Sequence, residues 1–304
     1  MLKKITRHGL FLLSILLLVI PLVRFGYSYL DNDQRFSRLF SGKSVLTEKT
    51  IRYKLEIMNP QNKPVDNAMI QLALPANISR QAVRRIEASM ESETVSHDLW
   101  NQSLLFYLPK LTPYETRIID VRVELAMYEQ SIAESLLDQE SYLKVEKYLE
   151  FTDPQLQQVL GPIKMTNQRD VAKELYTWIS ENVTASGFLA QERGALHTLQ
   201  EKTGDCTGHM YLFGALARAK GIPARMMSGF IVESNKLLKA QDYHNWAEIY
   251  IDGAWRVVDS MNKNFMESED HYVAMKVTVP SKANSFAWSQ RLFSAPSGLK
   301  VRLL

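Results

Sequence analysis

The periodicity of apolar residues changes near residue 128 of this chain, and that change restricts the fold more than any other feature. Before it, apolar and polar residues alternate in short runs over 50–58, 68–74, 104–108 and 117–125. Alternation with period two marks a half-buried strand, because successive side chains point to opposite faces. Turn-forming residues separate the runs: Asn59-Pro60-Gln61-Asn62-Lys63-Pro64, then Pro75, Pro109 and Pro113. Short strands at that spacing predict a β-sandwich over 47–128. After residue 128, segments 131–149, 170–182 and 206–220 carry apolar residues at i, i+3 and i+4, which predicts helices. Gly221 and Pro223 stop the last of them. Residues 244–259 alternate again. The expected class is α+β, an all-β sandwich followed by a mixed domain over 129–304.

Residues 1–30 follow neither pattern. A basic start (Lys3, Lys4, Arg7) precedes an apolar run over 10–23, and the segment has no acidic residue. Fourteen residues of helix span ~21 Å, short of a ~30 Å hydrocarbon core. Residues 25–30 complete the span if Arg24 reaches the far interface. This reads as a single-pass signal anchor in the cytoplasmic membrane, with a cleaved signal peptide as the rival. The positive-inside rule then puts residues 31–304 on the extracytoplasmic side, in the periplasm or at the cell surface. Residues 31–46 are polar and read as a stalk.

Net charge excludes a further class. The chain has 36 Lys and Arg against 33 Asp and Glu, a formal +3, but four of the basic residues lie in the first 30. The remainder is close to neutral, which argues against nucleic acid as a partner. One cysteine excludes intrachain disulfides and any Cys-cluster metal or iron–sulfur site. No phosphate-cradling glycine loop, dinucleotide fingerprint or Asp-rich calcium loop occurs, so neither a cofactor nor a metal is expected.

The cysteine sits in Thr203-Gly204-Asp205-Cys206-Thr207-Gly208-His209, at the start of the predicted 206–220 helix. Helix N-termini favour a thiolate through the macrodipole and free N–H groups. Further on, Asp252-Gly253 is a strong two-residue hairpin turn. A hairpin closed there pairs Tyr250 with Trp255 and Trp246 with Asp259, so that His244, Trp246, Glu248 and Tyr250 share one face with Trp255, Val257 and Asp259. His244 and Asp259 become diagonal neighbours, ~7–8 Å apart at the backbone, within reach of a carboxylate–imidazole bond. A one-residue slip would separate them. Nucleophile, base and orienter is the logic of a cysteine triad.

Four motifs extend this pattern. Gly204-Asp205-Cys206-Thr207-x-His209, Leu216-x-Arg218-Ala219-x-Gly221-Ile222-Pro223-Ala224-Arg225, His244-x-Trp246-x-Glu248 and Trp255-x-x-x-Asp259 resemble the transglutaminase-like cysteine hydrolase superfamily over about 165–262. The resemblance implies a papain-like core, a Cys-bearing helix packed on an antiparallel sheet. It implies Cys206 as nucleophile, His244 as general base and acid, and Asp259 as orienter. Asp205, His209, Trp246, Trp255 and Trp178 are candidates to wall or support the site. Gly208 departs from the family, where an acidic residue is frequent. The implied chemistry is attack on an amide or peptide bond through a thioester acyl-enzyme, on a protein or peptide substrate. Hydrolysis by a protease or amidase is the first expectation. Acyl transfer to an amine and a non-catalytic envelope binding module are the alternatives. Glu248 is expected to pair with Arg225 or Arg256, and Gly204 to supply a tight turn.

Overall fold

The computed structural model describes residues 44–128, 139–164, 167–189 and 191–304. The expected anchor over 1–30 and most of the expected stalk lie outside the described residues. Among the described residues no helix is long and apolar enough to cross a membrane. The first strands are β1 (Val45–Met58), β2 (Val65–Leu74), β3 (Gln81–Ala88), β4 (Glu93–Ser96), β5 (Gln102–Leu111) and β6 (Thr116–Tyr128). There follow α1 (Pro154–Leu160), α2 (Gln168–Asn182), β7 (Thr184–Ala185), α3 (Ala195–Glu201), β8 (Thr203–Gly204) and α4 (Cys206–Ala219). The chain continues through β9 (Ala224–Ile231), β10 (Lys236–Leu237), β11 (Tyr243–Ile251), β12 (Ala254–Asp259), β13 (Asn264–Phe265), β14 (Tyr272–Thr278), β15 (Phe293–Ser294) and β16 (Lys300–Leu303).

The sandwich forms as its alternation dictates. One sheet runs β10-β1-β6-β3 with β16 on β1, and the other runs β15-β2-β5-β4. Ile51, Tyr53, Leu55 and Ile57 of β1 face Ile70 and Leu72 of β2 and Phe106 of β5 in one buried cluster. Each such side chain contributes about 1.5–3 kcal/mol when fully buried. β3 and β4 were not legible: β3 carries Arg84, Arg85 and Glu87, and a register shift between Val83 and Arg85 breaks its alternation. β5 does not stop at Pro109. Its pairing with β2 passes from Leu108 to Lys110 opposite Ala68 and Asp66. Asn67, which the register skips along with the proline, turns left-handed at φ 55. A residue without an N–H is tolerated where the ladder asks for none.

The second half is a five-stranded antiparallel sheet, β13-β12-β11-β9-β14, with α4 packed on one face. Leu212, Phe213 and Leu216 of α4 meet Ala224 and Met226 of β9 and Ala247, Ile249 and Ile251 of β11. The opposite face carries Trp246, Met227, Val257 and Tyr272 against Ala76 and Ile78, which lie between β2 and β3. The helix expected over 131–149 is corrected where it is described: residues 139–142 form one 3-10 turn, and the chain then runs irregularly to Leu149. Tertiary bonds take its carbonyls, since Arg218 Nη1 donates to Lys144 O (2.7 Å) and Ala195 N to Tyr148 O (2.9 Å).

Strands from late in the sequence help build the sandwich. β15 pairs with β2, β16 pairs with β1, and β10 lies parallel to β1. The free edge of β14 is closed by side chains rather than by a strand. The Gln81 amide exchanges bonds with Ala274 N (3.0 Å) and Ala274 O (2.9 Å). Asn101 does the same with Val277 N and O, both at 2.8 Å. The buried Lys276 ammonium donates to Phe286 O and Arg291 O, each at 2.6 Å, and so ties down the segment that leads to β15. Residues 44–304 therefore form one compact unit.

Candidate active site

Cys206 is the first residue of α4, and Asp205 explains why the helix begins there. Asp205 is the N-cap: its Oδ1 accepts from Gly208 N (3.0 Å). Its second oxygen, Oδ2, accepts from Leu189 N (3.1 Å). One carboxylate thus fixes the helix that begins at Cys206 and the segment beside it. That segment is placed by β7, which runs parallel to β8 immediately before the helix. Phe188, on this segment, is 84% exposed. The Cys206 N–H, at the first helical position, has no acceptor in the helical ladder and faces outward with the positive end of the dipole. Gly204 is a strand residue of β8, not a turn: a Cβ there would lie 3.0 Å from Thr198 Cγ2. Gly208 is close to the same threonine, with a Cβ position 2.7 Å from Thr198 Oγ1. The packing of α3 on α4 therefore leaves no room for the acidic residue frequent at that position.

The hairpin closes in the expected register, Ile251 opposite Ala254, Tyr250 opposite Trp255 and Ala247 opposite Val258. His244 Nε2 lies 2.7 Å from Asp259 Oδ2, with both side chains buried. Asp259 collects further donors from Tyr272 Oη (3.0 Å), Asn262 Nδ2 (2.8 Å) and Asn262 N (3.2 Å). With Nε2 committed to Asp259, Nδ1 is the ring nitrogen left for Cys206, whose thiol is near enough to favour the protonated ring. Burial resists the charged imidazole, but the Asp259 bond and the Cys206 thiol outweigh it and raise His244 to about 9. Burial favours the acid form of Asp259, yet the bond to His244 holds it below the ordinary carboxylate range. Burial and the neighbouring Asp259 push the Tyr272 phenol upward, so it stays a neutral donor.

Trp246 supports this pair. Its ring stacks beside His244 at 6.4 Å and 14°, and meets Tyr272 edge-on at 5.1 Å. Space for it comes from Gly229, directly opposite His244 on β9. A Cβ on Gly229 would lie 3.0 Å from Trp246 and 2.1 Å from Val273 O. His209, one turn along α4, is buried with Nδ1 3.1 Å from Ser260 Oγ, next to Asp259 in sequence. Burial lowers its affinity for a proton, so it stands near His244 and Asp259 as a neutral ring.

Two candidates are placed elsewhere. Trp255 is buried under the Arg225 guanidinium, 4.2 Å from its ring centroid, toward the hairpin tip. Trp178 packs on the helical core with the Lys202 ammonium 4.4 Å from its ring, and it shares a shallow surface of α2 with Lys173 and Glu181. Glu248 pairs with Arg225 as expected, at 2.6 Å, whereas Arg256 goes to Glu269. A second cation, Arg80, also reaches Glu248 at 2.6 Å. Asn262, Tyr272 and Arg80 were not found from the sequence. Asn262 and Tyr272 fall just outside the quoted motifs, and Arg80 lies 168 residues from its partner.

Among the described residues no group of three or more His, Cys, Asp or Glu side chains is placed to hold a metal ion. The site instead offers a thiol at a helix start, a held imidazole and a buried carboxylate. Comparison with known proteins bears on the fold around these residues. A family model described as the transglutaminase-like superfamily matches residues 157–260. A solved structure from Cytophaga hutchinsonii, described as a candidate cysteine protease, superposes with a TM-score of 0.55 at 18% identity, covering 85% of this chain and 92% of that one. That is a likeness of fold. The periplasmic domain of TgpA from Pseudomonas aeruginosa is a more distant likeness, with a TM-score of 0.37 at 11% identity, 74% of this chain and 90% of that one. No curated protein matches the sequence. Residues 157–260 thus carry a transglutaminase-like domain.

Proposed function

We propose that this chain is a cysteine hydrolase of amide or peptide bonds, acting from Cys206, His244 and Asp259 on a protein or peptide substrate. The observation that carries the reading is the 2.7 Å bond between His244 Nε2 and Asp259 Oδ2, which leaves the other face of the ring to Cys206. The Cys206 thiolate attacks the carbonyl carbon, and the C=O electrons move to oxygen. The Cys206 N–H at the helix start is positioned to receive that oxyanion. His244 gives its proton to the leaving nitrogen, the C–N bond breaks, an amine departs and a thioester remains. Water then attacks the thioester while His244 takes its proton. The C–S bond breaks, releasing the acid and restoring the pair. Asp259 holds the imidazole in line and stays ionised throughout.

Hydrolysis is favoured over transfer to an amine because Cys206 is only partly buried, and an acyl-transferase must keep water from its thioester. The exposed Phe188, next to the Leu189 that Asp205 holds, suits an apolar side chain of a peptide. The basic and apolar start of the chain supports action outside the cytoplasm from a membrane anchor. The test is mass spectrometry of Cys206 after exposure to envelope peptides, with amine added in parallel. A thioester that decays to free acid is expected. Decay mainly to an amide would make the enzyme a transferase. A Cys206→Ala variant that processes substrate as fast as the unaltered protein would leave only a binding module.

A further inference from the structure

We propose that Arg80, contributed by the sandwich, is a positioning residue for the His244–Asp259 pair. The inference rests on the reading of those two residues as part of the triad. Arg80 lies in the turn between β2 and β3 and is 1% exposed. Its guanidinium forks toward both members. In one direction, Nη1 donates to Tyr272 O (2.5 Å) and to Glu269 O (3.3 Å). Tyr272 in turn donates its hydroxyl to Asp259. In the other direction, Nη2 (2.6 Å) and Nε (3.2 Å) donate to Glu248 Oε1. The same oxygen accepts from Trp246 Nε1 at 3.3 Å, and Trp246 stacks beside His244. One planar group thereby fixes the backbone of the tyrosine that holds Asp259 and the acceptor that orients the indole beside His244.

Charge balance does not require this arginine. Glu248 Oε2 already takes two bonds from Arg225, at 2.6 and 2.8 Å. A second buried cation costs desolvation that the first pair has no need of. The fork geometry is what only an arginine supplies: five fixed donors reaching two carbonyls and a carboxylate at once. A lysine at this position keeps the charge and loses the fork.

The experiment uses the whole chain and compares Arg80→Lys and Arg80→Met with Asn101→Ala, which loosens the sandwich from the same sheet at Val277. Two readouts are taken against pH: turnover of a peptide substrate, and alkylation of Cys206 by iodoacetamide, which needs no turnover. The groups facing His244 are Cys206, Asp259, His209 and the Tyr272 phenol, so a shift of its limb is read with those four unchanged. Arg80→Lys is expected to fold, to lose roughly tenfold or more in kcat, as a small misplacement of a catalytic group does, and to shift the alkaline limb of both profiles downward. Asn101→Ala is expected to lower Tm with both profiles in place. Arg80→Met, if it folds, is expected to behave as Arg80→Lys. An Arg80→Lys protein with kcat and limb at unaltered values overturns the proposal. So does an Asn101→Ala protein whose profiles move as far. If a His244→Ala chain is alkylated with the same pH profile as the unaltered protein, the triad reading itself fails, which is a separate outcome.

Discussion

At Cys206 the reactive pair depends on who owns the proton. His244 keeps its proton up to about pH 9, so an imidazolium faces Cys206 across neutral pH. The alkaline limb of kcat/KM is accordingly expected near 9. Asp259→Asn removes the charge that raises His244, so that limb should move downward. Turnover should fall by about 10²–10⁴, and Cys206→Ala should fall further. Kinetics across pH on both variants decide this, and a limb unmoved in Asp259→Asn would mean that the carboxylate does not set the imidazole. Phe188→Ala, at an exposed position, should leave Tm unchanged and raise KM for peptides with an apolar residue at the cleavage site. Equal KM values would remove Phe188 from the substrate surface. Cys206, His244 and Asp259 could be named from the sequence because motif spacing and the Asp252-Gly253 turn set their register. Asn262 and Tyr272 could not, since a donor to a carboxylate from a loop and from a neighbouring strand has no periodic signature.

Among the elements, α4 is the most constrained. It is buried along nearly its whole length, its N-cap is shared with the 188–189 segment, and its last turn is held by Arg218 on Ala224 O. Asp205→Ala removes both bonds of the cap. The loss should be about 0.5–2 kcal/mol, with greater protease sensitivity at 186–189, measured by limited proteolysis beside a denaturant melt. Cleavage there at the unaltered rate would show that Asp205 does not hold the segment. Helices with intact periodicity, such as 170–182, were legible to within two residues. The run over 131–149 was misleading where it is described, because Lys144 O and Tyr148 O accept from Arg218 and Ala195 rather than from a helical ladder. β3 hid behind a bulge and three charged residues.

For the whole molecule, the decisive fact is that 44–304 is one unit. The sandwich closes on strands from residues 293–294 and 300–303, and the catalytic sheet is edged by Gln81 and Asn101. Arg80 and Arg225 hold Glu248 at about 2 against the burial that would raise it. A depressed carboxylate adds stability that is complete above its unfolded value, near 4.5, and is lost as pH falls toward 2. Glu248 alone contributes about 3 kcal/mol by that shift, and Asp259 adds in the same direction. Chemical denaturation is expected to show stability falling steeply below pH 4.5, and a Glu248→Gln chain should show a shallower fall. A parallel decline in both would place the acid-labile group elsewhere.

The sequence alone determined what is local. Period two made the sandwich strands, period 3.6 made the helices around Cys206, and a two-residue turn put His244 and Asp259 on one face. Tertiary structure alone decided what depends on distance along the chain. Arg80 reaches Glu248 across 168 residues, and β16 finds β1 from the other end of the protein. Such contacts are set by shape and charge between surfaces that exist only after folding. No spacing within either partner's segment encodes them.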